Sequence, residues 1–439
     1  MPFLSAFRFS LILMGSCLAA CGGTPAVGDG LPLLPPRAAR SEEVARLLQQ
    51  PHLSEKEFLR LVELNHPRLR SAREDVEAAI ARRVHAGLWP NPSLFAQMEE
   101  IPGSPLKPAD AKAVLGIVFP IAIGGRIGAQ AEAADRERAF VESVVLAKRL
   151  DLLAEARRAL VEYTYTTRAA ALEEESRKLT AKFHEVVRKR REEKTVLELE
   201  LIKTAVELAT QEIDASAAAR DAERAAIRMR SWSGDLAFDV NRVRYTLPES
   251  AAAIDLTARE AEALERHPLM RAARKSAELA AALATLARRE AIPDLELTAA
   301  AGRSGGETDR ETILEFGVTI PLPLFNRNQG RIAEAEAQER RALFDLEETR
   351  LTLITRLREV AKTVERELAR AERYRSAIVV QAERAVELAM TLYLEAKILN
   401  LDVLDAQRVL VKARRTYLEA QRDLALALVE LETLSGELP

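Results

Sequence analysis

The sequence holds almost no cysteine: Cys17 and Cys21 are the only two in 439 residues. Both lie at the N-terminus, so no disulfide can brace the mature chain. Glycine and proline are scarce, at 18 and 19, and there are six tyrosines and two tryptophans. Charged residues make up 30% of the chain, with Ala, Leu, Glu and Arg abundant; that mix belongs to long helices. Neither sign of charge dominates. The 64 basic and 67 acidic residues are interspersed and leave a net charge of -3, so charge selects no nucleic acid and no acidic substrate. Beyond the N-terminal leader no run of 18 uncharged apolar residues occurs, which excludes a membrane-spanning helix. If this chain crosses a membrane, it must use strands.

The parts of an enzyme are missing as well. His52, His66, His85, His184 and His267 show no His-x-x-x-His or carboxylate spacing for a metal. Gly124-Gly125-Arg126 and the glycines of 302–306 are followed by no Lys-Ser or Lys-Thr, so neither is a phosphate loop. No nucleophile stands with a base. The expectation is a chain with no catalytic residue, no cofactor and no metal of its own.

Residues 1–20 place Arg8 before an apolar stretch at 9–14 and small residues before Cys21, the layout of a secretory signal. Leu18-Ala19-Ala20-Cys21 resembles the bacterial lipobox, which implies acylation of the Cys21 thiol, and Gly22 after it favours the outer membrane. An ordinary signal peptide with incidental cysteines is the alternative. Residues 21–54 then read as a lipid-anchored tether, because 24–40 is rich in Gly, Pro and Ala without periodicity.

The strongest pattern is a duplication. Asn65-His66-Pro67 recurs as Arg266-His267-Pro268, Pro92 and Leu94 as Pro293 and Leu295, Phe119-Pro120 as Ile320-Pro321 and Arg126 as Arg327, each at an offset of 201. Leu199, Ile202 and Gly234 recur as Leu401, Leu404 and Gly436 at an offset of 202. The chain divides into a first repeat at 55–234, a linker at 235–254 and a second repeat at 255–436. Residues 129–233 and 331–435, 105 in each run, contain neither Gly nor Pro. One helix of that length would reach roughly 160 Å, so a reversal is expected near Lys194 and Ala396. The outgoing helix then spans roughly 100 Å and the returning one roughly 57 Å, while residues 68–89 and 269–291 add roughly 33 Å each. Short plus short nearly equals long. Near the end, Val403, Leu410, Tyr417, Leu424 and Leu431 form one seam, with Ala406, Ala413, Ala420, Ala427 and Leu434 three residues later. This is coiled-coil spacing, although a single amphipathic helix on a globular core is the alternative.

Each repeat also carries a hairpin, at about 92–120 and 293–321. Leu314, Phe316, Val318 and Ile320 fall on one face of a strand, and Leu295, Leu297, Ala299 and Ala301 alternate with Glu296 and Thr298. Strands of about nine residues with this alternation suit a membrane barrel; a soluble hairpin on a core is the other reading. Four strands close no barrel, since about eight are the fewest that do. The chain must therefore oligomerise if they span a membrane.

Three stretches carry a family resemblance: His66-Pro67 opening the first helix, Trp89-Pro90-Asn91-Pro92 before the first strand, and the strand-to-helix corners. The corners read Phe119-Pro120-Ile121-Ala122-Ile123-Gly124-Gly125-Arg126 and Ile320-Pro321-Leu322-Pro323-Leu324-Phe325-Asn326-Arg327-Asn328-Gln329-Gly330. With them, residues 55–436 resemble the TolC-like outer-membrane factors, most closely the branch that serves heavy-metal efflux pumps of the CzcC type. The resemblance implies a mainly α chain with transmembrane β, three copies of which form a 12-stranded β-barrel continued by a periplasmic α-helical barrel. It implies a periplasmic adaptor docked at the helix turns, through Lys194, Val196, Leu197 and Leu199 and through Ala396, Ile398, Leu399 and Leu401, with an inner-membrane pump of the resistance-nodulation-division type beyond it. It marks Pro120, Gly124, Gly125, Pro321, Pro323 and Asn326 as strand-helix corners. Here Ala396 and Leu399 stand where the family has Gly and Ser, and Lys194 and Leu197 do so in the first repeat, which leaves the adaptor's identity open.

Glu200 and Asp402 occupy matching positions, so three copies would ring the tunnel mouth with six carboxylates that favour cations. The same acids could instead cap the return helices. The functional expectation is a passive outer-membrane channel of a tripartite efflux system, a homotrimer in contact with outer-membrane lipid, exporting divalent heavy-metal cations. Drug or solvent export, type I protein secretion and a periplasmic coiled-coil scaffold are the alternatives.

Overall fold

The computed structural model describes residues 37–99, 112–252, 254–304 and 311–436. The signal, Cys21, the Pro-rich connection of the first hairpin and the Gly305-Gly306 turn lie outside them. In chain order the elements are α1 (Arg37–Gln49), β1 (Leu53–Ser54), α2 (Glu55–Asn65), α3 (Pro67–Ala86), β2 (Ser93–Glu99), β3 (Lys112–Ile121), α4 (Arg126–Glu192), α5 (Glu198–Ser233), β4 (Val243–Arg244), α6 (Leu256–Arg266), α7 (Pro268–Arg289), β5 (Leu295–Ser304), β6 (Glu311–Thr319), α8 (Gln329–Arg373), a π turn (Tyr374–Ile378), α9 (Val379–Leu394) and α10 (Asn400–Ser435). Helix-strand-strand-helix occurs twice, in register with the duplication. Among the described residues no helix is long and apolar enough to cross a membrane.

Residues 37–54 differ from the expected tether. Val44, Leu47 and Leu48 recur at helical spacing in α1, Leu47 and Leu53 are buried, and Glu43 holds Arg60 of α2 at 3.0 Å. Leu53–Ser54 then pairs in parallel with Val243–Arg244 of the linker. Apolar spacing within a charged segment ordered this stretch where composition suggested none.

The chain forms two compact units. One is built from Val76–Ala139 and Glu278–Glu339 and contains the sheet. Its four strands are antiparallel in the order β2-β3-β5-β6, so the two hairpins join at β3 and β5, with Ile117 opposite Ala299. Alternation sorts the side chains onto two faces. One face bears the rows Leu94, Ile117, Ala299, Phe316 and Ala96, Leu115, Ala301, Leu314, with Phe119, Leu297 and Val318 beyond them. The other bears Ser93, Val118, Thr298, Gly317 and Phe95, Gly116, Ala300, Glu315, and a Lys112–Glu315 ion pair of 2.5 Å crosses it.

The other unit, built around Phe140–Ala277 and Arg340–Pro439, is helical. The seam of α10 is buried at Val403, Leu410, Ala413, Ala420, Leu424, Ala427 and Leu431. Leu424, Ala427 and Leu431 pack with Leu353, Leu357, Val360 and Val364 of α8, which is the coiled-coil reading realised. The two repeats are tied by charge: Arg157 of α4 is held between Glu55 and Glu432. Beside them burial pushes the Tyr245 phenol up to about 12. Arg157 is the least exposed of the three charged groups and both carboxylates keep some contact with water, so removing one partner should cost about 1–3 kcal/mol.

The His-Pro pairs explain how short helices follow one another. A residue before proline is driven to extended backbone, and His66 and His267 have ψ of 130. Each ends one helix and caps the next: Nδ1 of His66 accepts from Arg68 N–H at 3.3 Å and Nδ1 of His267 from Leu269 N–H at 3.1 Å. Proline then fills the first helical position, where no donor is needed. Return helices end against these junctions at Gly234 and Gly436, with φ of 74 and 75; Asn65 reaches Ser233 O at 2.8 Å and His66 stacks on Trp232 at 5.3 Å.

His267 is only 2% exposed, and its Nε2 faces Thr433 O at 3.1 Å. Burial holds its imidazole below the ordinary value of 6.5, with the Thr433 carbonyl pulling weakly the other way. The unfolded chain therefore binds this proton more readily than the folded one. The stability His267 contributes is intact above about 6.5 and drains away as pH falls from there through the lowered folded-state value. Urea midpoints measured from pH 8 to 5 should fall less steeply for His267→Asn than for the native chain.

Candidate functional site

Two surfaces stand out: the turns that join outgoing to returning helices, and the sheet with its corners. The turns share one geometry. Lys194 and Ala396 lie in the left-handed region, at φ 58 and 57. Lys194 N–H donates to Arg191 O and Thr195 N–H to Arg190 O, both at 2.9 Å; Ala396 N–H donates to Tyr393 O at 3.0 Å and Lys397 N–H to Leu392 O at 2.9 Å. This is a Schellman closure, which ordinarily selects glycine. The reversal expected at these two residues is where the chain turns.

Beyond the turn the expected contact residues divide. Val196 and Ile398 turn inward onto a cluster of Phe183, Val187, Tyr393, Val403 and Leu404. Leu197 and Leu399, the residues that open the return helices, are 69% and 65% exposed, and Leu199 and Leu401 are exposed beside them. Lys194 and Ala396 are exposed as well. Each turn thus presents two leucines to solvent beside one half-buried aliphatic residue.

Glu200 and Asp402 match in backbone but not in side chain. Asp402 is exposed, and its Oδ2 accepts from Leu399 N–H at 3.0 Å, supplying the cap that a leucine cannot. Glu200 turns inward. Its Oε2 and the Tyr393 hydroxyl, both shut from solvent, lie together without meeting hydrogen-bond geometry. Burial, then the Glu200 charge, holds the Tyr393 phenol above its ordinary range, against the pull of Arg190. Arg190 also donates to Tyr393 O at 2.7 Å and stacks on its ring at 4.8 Å. Asn400 donates to Glu200 O at 3.1 Å, and Arg408 to Glu207 at 2.5 Å. Tyr393 was not among the expected residues; only its place one turn before the left-handed Ala396 could have marked it.

At the corners, Pro120 is the last residue but one of β3 and Gly125 has φ 71 just before α4. Gly124 packs so closely on Ile292 that an added Cβ would lie 2.6 Å from the Ile292 Cβ. Arg126 holds Asp294 at 2.6 Å. In the second corner Pro321 and Pro323 are exposed, and the left-handed residue is Asn328, at φ 61, not Asn326 opposite Gly125. Asn326 serves it instead, its Oδ1 accepting from Asn328 N–H at 3.0 Å.

The apolar sheet face lies open, with Phe316 84% exposed and Leu94, Leu115, Leu314 and Val318 exposed around it. Among the described residues β2 and β6 each pair on one side only. Nor is any group of three or more His, Cys, Asp or Glu among them placed to hold a metal ion.

An alanine held left-handed costs roughly 1–2 kcal/mol, whereas glycine's extra unfolded freedom costs roughly 0.5–1 kcal/mol. Ala396→Gly should therefore stabilise the fold by about 0.5–1 kcal/mol, read as a higher urea midpoint, and Ala396→Val should lower it.

The profile of the outer membrane efflux protein family matches residues 261–437, the second repeat. The cobalt-zinc-cadmium resistance protein CzcC of Cupriavidus metallidurans is 26% identical over 352 residues, which cover 80% of this chain and 82% of that protein. The outer-membrane channel OprN shares the fold with a TM-score of 0.74 at 19% identity, over 90% of this chain and 92% of its own. CusC does so at 0.71 and 16%, over 87% and 92%, and VceC of Vibrio cholerae at 0.69 and 18%, over 91% and 96%. The resemblance carried by the corner motifs holds: residues 261–437 are an outer membrane efflux protein domain, in a chain with the fold of outer-membrane channels.

Proposed function

We infer that three copies of this chain form the outer-membrane channel of a tripartite efflux system and conduct divalent heavy-metal cations passively to the exterior. The observation that carries this reading is the sheet: four strands, two edges unpaired among the described residues, and one face apolar from Leu94, Ile117, Ala299 and Phe316 through Leu314, with Arg303 and Thr312 only at its far rim. Such a sheet is satisfied when β6 of one copy pairs with β2 of the next and the apolar face meets lipid. Three copies supply twelve strands, enough for closure, and place the polar face toward the lumen.

The exposed leucines at 197, 199, 399 and 401 offer the periplasmic adaptor two similar apolar sites per copy. An inner-membrane pump of the resistance-nodulation-division type completes the assembly, and acylated Cys21 anchors the chain to the outer membrane of a Gram-negative cell. Of the two acids expected at the pore mouth, exposed Asp402 fits that part; Glu200 faces Tyr393 instead. Metal cations are favoured as cargo by the similarity to CzcC, named for cobalt, zinc and cadmium resistance.

Deleting the gene should sensitise the cell to zinc, cobalt or cadmium, and the native chain should restore growth. The double variant Leu197→Glu with Leu399→Glu should restore it at least tenfold less well in metal concentration while still reaching the membrane. Unchanged metal tolerance with sensitivity to drugs would overturn the cargo; restoration by the double variant would overturn the adaptor site.

A further inference from the structure

The apolar alternation of β6 does not stop where its pairing stops. Leu314, Phe316, Val318, Ile320, Leu322 and Leu324 follow one another at every second residue, all exposed, although the last paired residue is Thr319. A hydrogen-bonded loop displays the end of the series. Leu324 N–H donates to Leu322 O at 2.9 Å across Pro323; Gln329 donates to Phe325 O at 3.2 Å and accepts from Arg327 N–H at 2.7 Å; Asn328 donates to Ala287 O at 2.8 Å. On this frame Phe325 is 91% exposed. The duplication makes that exposure informative. At the offset of 201 its counterpart is Gly124, which is folded tightly onto Ile292, so the first corner turns in where the second turns out.

We propose that the second corner is a membrane-interface anchor, in which Leu322, Leu324 and Phe325 enter the periplasmic-side leaflet of the bilayer that receives the sheet. The occupant is lipid for two reasons. The exposed apolar series runs from β6 into the corner with no polar residue among its members, and exposed Arg327 stands two residues beyond Phe325, where a cation meets lipid phosphate. Aromatic and aliphatic side chains at the end of a lipid-facing strand, followed by arginine, match the polarity gradient from acyl chain to headgroup. The anchor rests on the reading of the sheet as membrane-embedded and adds a second contact at its edge.

The test uses the full chain with Trp89→Phe and Trp232→Phe, carrying either Phe325→Trp or Phe316→Trp, in vesicles of phosphatidylethanolamine and phosphatidylglycerol. Acyl chains are brominated near the headgroup or near the methyl end. Both tryptophans should emit at blue-shifted wavelengths, and shallow bromines should quench Phe325→Trp at least twofold more than deep ones. Quenching of Phe325→Trp by aqueous iodide alone, or by neither agent, overturns the anchor, the second result indicating a covering protein surface. So does equal quenching at both depths. In those cases bromolipid quenching of Phe316→Trp leaves the sheet's membrane reading standing, and its absence overturns both.

Discussion

Backbone hydrogen bonding at the edges of one small sheet constrains everything else in this chain. Among the described residues the outer edges of β2 and β6 are unpaired, which is tolerable in water and costly in hydrocarbon, whereas the apolar face beside them has the opposite preference. No arrangement of a single copy meets both demands. Closure by further copies does, because it removes the edges and leaves the apolar face outward. The duplication suits such a ring: each copy of the unit adds one hairpin, and β3 meeting β5 within the chain is the kind of contact that the proposed closure would repeat between β6 of one copy and β2 of the next.

The helical unit shows how two unequal copies keep one geometry. Its junctions and turns rest on backbone devices that need few particular side chains: His-Pro caps, left-handed helix ends and Schellman closures, each used twice. Between those fixed points the copies have drifted. One outgoing helix runs unbroken as α4, while its counterpart carries a π turn at Tyr374–Ile378. One tip acid caps its helix and the other faces a buried phenol. The two tips are thus alike in backbone and in their exposed leucines and unlike in the side chains around them.

Much of this was legible in residue order because the governing signals are local. Missing Gly and Pro mark the long helices, strict alternation marks β6, and recurrence at a fixed offset locates both turns, where Lys194 and Ala396 adopt the left-handed backbone. Features that depend on distant neighbours were not legible. Helix α1 forms because Leu47 and Leu53 find burial and Glu43 finds Arg60, none of which the Gly- and Pro-rich segment before it announces. The π turn has no glycine or proline to mark it. Glu200 and Asp402 look equivalent until Tyr393 is placed beside one of them. Asn328 takes the left-handed position because Asn326 and Ala287 hold its backbone and side chain, a partnership that the alignment of Asn326 with Gly125 hides.

The central claim is that the sheet is complete only between copies. Native mass spectrometry of the full chain, released from outer membranes in mild detergent, tests it most directly. A closed twelve-stranded barrel predicts a dominant assembly of three chains; a dominant single chain, with β2 and β6 still unpaired, would contradict it.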